Sequence, residues 1–139
     1  MKATVLVADA AQAVDGKIYA LGLGWSHVGT PTPPHALIIL LDVDWNETNH
    51  RFQLRAELVD SDMHEVTIQT SIGEQPVVLE AELEVGRPAG LPRGTAVRVP
   101  FTATFGSLNL VAGSRYEWRV TIDGRHEEDW SETFTVRPR

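Results

Sequence analysis

At 139 residues the chain fits one domain, 1–139, long enough to bury roughly 68–70% of the surface that its unfolded form exposes. It holds no cysteine, which excludes disulfides and thiolate metal sites, and its 12 basic against 19 acidic residues give a formal charge of −7 that disfavours a polyphosphate partner. No nucleic acid and no membrane are expected, since the arginines are dispersed and no run approaches the ~18 apolar residues of a membrane helix; a soluble, cytoplasmic protein is.

Met1 to Asp9 reads as a first strand whose short apolar stretch ends at an aspartate. Asp15-Gly16 marks a turn into a second strand, Lys17 to Trp25, where Gly22 and Gly24 signal a bulge or a close backbone approach. Gly22-Leu23-Gly24 is too short for a dinucleotide fingerprint, and Gly24-Trp25-Ser26-His27-Val28 lacks the closing glycine of a nucleophile elbow. Thr30-Pro31-Thr32-Pro33-Pro34 is a stiff loop.

Ala36 to Leu41 is the strand read as apolar on both faces. Leu37, Ile39 and Leu41 continue into Val43 and Trp45 as the inward row, so Ile38 and Leu40 point away and need a cover. The alternatives are a loop of the same chain, such as the proline-rich one before it, or a homodimer through a two-fold self-association face. Asp42-Val43-Asp44-Trp45-Asn46 opens like a calcium loop but has Glu47 where the sharp-turn glycine belongs and Gln53 where the bidentate glutamate belongs. A helical turn over Trp45 to Asn49, with Asp44 as N-cap and Glu47 in a capping box, accounts for it.

From His50 to Val59, Phe52, Leu54, Ala56 and Leu58 alternate with polar residues, as in a strand with one buried face. Asp60-Ser61-Asp62-Met63-His64-Glu65 offers oxygen ligands on a tight turn, which aspartate and serine form without any metal. Val77, Leu79, Ala81, Leu83 and Val85 make another inward row. Glu80, Glu82 and Glu84 face out, with Arg51, Arg55, Arg98 or Arg119 as their expected partners. Gly86 to Gly94 is a second Pro/Gly-rich connection. Val97, Val99, Phe101, Ala103 and Phe105 form a strand that Pro100 confines to an edge or a bulge.

Leu110-Val111-Ala112-Gly113-Ser114-Arg115-Tyr116-Glu117-Trp118 is the most informative stretch. The approach from Leu110 through Gly113 to Tyr116 looks like a tyrosine corner, which pins the connection between two sheets in an immunoglobulin-like domain. Tyr116, Trp118, Val120 and Ile122 then alternate inward, Asp123-Gly124 turns the chain, and Trp130, Phe134 and Val136 return it. The expected architecture is all-β: a single immunoglobulin-like antiparallel β-sandwich of about nine strands.

No acid, base and nucleophile assemble from these motifs, and the five histidines show no paired metal-ligand spacing, so no catalytic, cofactor or metal residues are assigned and no cofactor is expected. Trp25, Trp45 and Trp130 each lie near a strand end, where an aromatic plugs a sandwich or presents a ligand face. Ala8-Asp9-Ala10-Ala11-Gln12, Asp15-Gly16-Lys17, Leu21-Gly22-Leu23-Gly24-Trp25, Glu84-Val85-Gly86-Arg87-Pro88, Gly90-Leu91-Pro92 and Gly113-Ser114-Arg115-Tyr116-Glu117-Trp118 together resemble a family of small, uncharacterised bacterial proteins of immunoglobulin-like type. That resemblance covers the chain and implies a fold, with no activity to transfer. The expected role is a non-enzymatic module that binds or assembles with a protein partner; the alternative is a small-ligand or carbohydrate-binding domain using the three tryptophans.

Overall fold

The computed structural model describes all residues, Met1–Arg139. The chain is all-β, with twelve strands where about nine were expected: β1 (Lys2–Ala8), β2 (Ala10–Val14), β3 (Lys17–Leu21), β4 (His27–Val28), β5 (His35–Val43), β6 (Arg51–Asp60), β7 (Thr67–Thr70), β8 (Gly73–Pro76), β9 (Val78–Glu84), β10 (Val97–Phe105), β11 (Arg115–Ile122) and β12 (Ser131–Val136). They form a three-stranded sheet, β1-β5-β10, a five-stranded sheet, β4-β12-β11-β6-β9, and two separate hairpins, β2-β3 and β7-β8; none of the sheets is closed. The extra strands are β2, β7, β8 and the two-residue β4, which pairs parallel to β12, while the second strand read from the sequence ends at Leu21, short of Trp25.

The alternation read from the sequence sets the core. The inward rows of β1, β5, β6, β11 and β12 meet in one hydrophobic cluster that includes Leu37, Ile39, Leu41, Leu54, Leu58, Trp118, Val120 and Phe134. Each fully buried Leu or Ile side chain contributes about 1.5–3 kcal/mol relative to exposure. Truncating one such as Leu58, which is 0% exposed, to alanine would cost about 2–5 kcal/mol. β10 is an edge strand, as Pro100 requires, and its inward row is only half buried.

Two connections lock the ends of the sheets. The Val111 N–H donates to the Tyr116 hydroxyl at 2.9 Å, tying the connection from β10 to the start of β11, and Gly113 makes the turn between them at φ 83. The proline-rich loop is tied to the segment before it: Thr32 N–H donates to the Leu108 carbonyl and Leu108 N–H to the Thr32 hydroxyl, both at 2.9 Å. The loop is therefore held at Leu108 and Leu110, and it is not the cover for Ile38.

That cover is the β2-β3 hairpin. Ala8, Ala36 and Ile38 lie on the outward face of the three-stranded sheet, yet Ile38 is only 2% exposed. β2 leaves the end of β1 and packs against β5 and β10 on that side. Ile38 thus needs no second subunit, and Leu40, next along the row, is half buried. The expected helical turn is a single 3-10 turn, Trp45–Glu47, with the Asp44 N–H donating to Glu47 Oε1 at 3.2 Å.

The glutamate row finds only part of its expected arginine set. β9 lies beside β6, so Arg55 pairs with Glu80 and Arg51 with Glu82. Arg98 is on the other sheet and grips Asp42 instead, holding that carboxyl below its ordinary range, and Arg119 neighbours Glu117.

Candidate interaction surface

The hairpin that covers Ile38 leaves its own far side bare. Asp15 and Gly16, at φ 52 and 73, make the two-residue turn whose twist matches the strands it joins. The register Ala10↔Leu21, Gln12↔Tyr19 and Val14↔Lys17 puts those six side chains on one face, and Ala11↔Ala20 and Ala13↔Ile18 on the other. Ala11, Ile18 and Ala20 are half buried and face the body of the protein. On the outer face Val14 is 39%, Tyr19 61% and Leu21 73% exposed, and Leu23, just beyond the strand, is 55% exposed.

Ala10, Ala11, Gln12, Tyr19, Ala20 and Leu21 line an open depression here of about 700 Å³, with no charged residue among them. Partner-binding patches have this character, with charge depleted at the centre and tyrosine enriched. The remaining exposed large apolar residues, Met63, Ile72 and Val111, sit on separate turns and connections.

The base of the hairpin is braced. Gly22 adopts φ 64 and presses its backbone against the Asp9 side chain, where a Cβ would collide with the carboxylate. Asp9 N–H donates to the Leu21 carbonyl at 3.0 Å, and Gly24 N–H to the Val7 carbonyl at 2.8 Å. Trp25 Nε1–H donates to Asp9 Oδ1 at 2.8 Å while its ring packs against His35 and Phe134, with centroids 5.0 and 6.1 Å away. Ordering lost on binding is reduced when a surface is held in this way.

The three tryptophans do not form a common ligand face. Trp130, offered from the sequence as a ligand-facing aromatic, is 2% exposed and belongs to the core, because β12 brings it under the β11 row. Trp45 is half buried beneath the Arg87 guanidinium, 4.1 Å from the ring centroid, and Trp25 is the strut just described.

Other sequence candidates resolve into structural roles. Asp60, Asp62 and His64 do come together, with ligand atoms within 4.8 Å of one another. Asp60 Oδ1 already accepts the N–H groups of Asp62 and His64, each at 2.9 Å, which is the side-chain-capped turn expected of that sequence. Asp42 and Asp44 diverge, the first to Arg98 and the second to the N-terminal ammonium. Ser26 Oγ lies 3.0 Å from Nδ1 of its neighbour His27, both exposed at a strand end.

The Asp15-Gly16 turn was legible in the sequence, but the exposed face of the hairpin was not. A signal was present: Ile18, Tyr19, Ala20 and Leu21 are apolar on both faces, the same property that drew attention to Ala36–Leu41. No helix is long and apolar enough to cross a membrane. Over residues 3–136 the chain matches the model of a family of unknown function, DUF6941, and no curated protein and no solved structure matches it.

Proposed function

The chain belongs to this family of unknown function, and on that premise we propose that it is a non-enzymatic, cytoplasmic module of bacterial origin that binds a protein partner, built on an immunoglobulin-like β-sandwich. The observation that carries this reading is the outward row Val14, Tyr19 and Leu21, extended by Leu23, on a hairpin whose base is pinned. The sandwich reading is supported by the shared core of the two larger sheets and by the Val111–Tyr116 bond. A large apolar surface held open on a rigid ribbon costs solubility and gains affinity for another apolar surface.

Immobilised full-length protein should retain a discrete set of proteins from host extract, and Leu21→Asp should lose them with an unchanged melting temperature. Equal retention by wild type and variant would overturn the assignment of the surface.

A further inference from the structure

We propose that the hairpin also takes a second copy of the chain, joined edge to edge along β3 about a two-fold axis at Tyr19, so that the outward apolar row continues from one copy into the other. This rests on the reading of the hairpin as the interaction surface.

β3 is an open strand edge. The two-residue turn makes Val14 and Lys17 a hydrogen-bonded pair, and alternation makes Gln12/Tyr19 and Ala10/Leu21 hydrogen-bonded pairs as well. Ile18 and Ala20 therefore aim their N–H and C=O groups away from β2, and neither residue takes part in any backbone bond outside the ladder. An edge of this kind is a template for another strand.

Three other sheet edges carry recognisable devices against such pairing. β10 carries Pro100, β9 carries Glu80, Glu82 and Glu84, and β4 is two residues long. At −7 per chain, two copies repel over most of their surfaces. β3 has no proline and no acidic residue, and Lys17 is its one charge.

The edge is also complementary to itself. A two-fold axis at Tyr19 places Ile18 of each copy opposite Ala20 of the other, so that four backbone hydrogen bonds form. The two Tyr19 residues become a non-hydrogen-bonded pair, in which side chains stand closest. The same register puts each Lys17 beside Leu21 of the other copy, whose carbonyl already accepts the Asp9 N–H. Lys17 makes no ion pair within its own chain and brings a positive charge to the seam between two acidic copies.

Sedimentation equilibrium of the full chain from micromolar to several hundred micromolar tests this. The wild type should be a dimer. Tyr19→Asp, which sets two carboxylates across the axis, and Ala20→Pro, which removes an outward donor, should each raise the dissociation constant at least about tenfold. Lys17→Glu, at an exposed position beside the turn, gives a third reading should either of those variants lose its circular-dichroism spectrum, and it should weaken the dimer too. A wild type that stays monomeric, or folded variants that dimerise as well as the wild type, would overturn the second copy as partner. A monomer that still retains host proteins through Leu21 would remove the dimer and keep the interaction surface; a monomer whose retention ignores Leu21 would remove both.

Discussion

His35 and Trp118 hold the two buried side-chain nitrogens without a hydrogen-bond partner, and their rings lie 6.3 Å apart in the same aromatic cluster. His35 Nδ1 faces the Pro33 carbonyl at 3.3 Å, so the proton sits there and Nε2 is left as an acceptor; Trp118 Nε1–H is a donor. Burial pushes the His35 imidazole below its ordinary 6.5, with the Pro33 carbonyl opposing the shift.

A lowered histidine value fixes the sign of a pH effect. As pH falls through 6.5 the unfolded chain takes up this proton before the folded one does, so stability drops by up to about 1.4 kcal/mol per pH unit until the folded value is reached. Above 6.5 the group contributes no slope. Urea midpoints from pH 8 to pH 5 should fall less for His35→Phe than for wild type; parallel curves would show that His35 is not the group that resists protonation.

Tyr116→Phe removes the acceptor of the Val111 N–H and should cost about 1 kcal/mol, the worth of a hydrogen bond whose donor loses its partner. An unchanged denaturation midpoint would mean that water replaces the hydroxyl at no cost.

Gly22→Ala faces both a φ of 64 and the Asp9 carboxylate. It should destabilise by about 1 kcal/mol or more, and because Asp9 must move, the bond to Trp25 Nε1 should break. A lower melting temperature with altered tryptophan fluorescence is the expected pair of results. A normal melt would show that the hairpin base is not braced there.

Calcium or zinc well above micromolar concentration should leave the melting temperature unchanged, because Asp60 Oδ1 is already committed to two N–H groups of its own turn. A metal at a hundred times its dissociation constant would add about 2.7 kcal/mol. A clear rise would turn the Asp60, Asp62 and His64 cluster into a site.

Much of the fold was legible where a strand buries one face only. Phe52 to Leu58 and Tyr116 to Ile122 announce their inward rows by strict alternation, and Pro100 announces an edge by its missing donor. Alternation says nothing about what lies on the far side of a strand that is apolar throughout. For Ile38 that depended on where β2 travels after Asp9, a tertiary matter, and for Tyr19 and Leu21 the same ambiguity hid an exposed face inside an apolar run. The arginine partners of Glu80 and Glu82 followed from strand order, which residue type does not encode.

β5 takes its neighbours from distant parts of the chain: residues 2–8 on one side and 97–105 on the other. At a synthesis rate of about 5–20 residues per second, the stretch from Val43 to Val97 takes roughly 3–11 s to emerge. For that interval the most apolar strand of the protein exists on the ribosome with one flank empty. The hairpin β2-β3 is made earlier and closes through a local turn in microseconds, but it packs on β10 as well as β5, so its seat over Ile38 is complete only once β10 has been made.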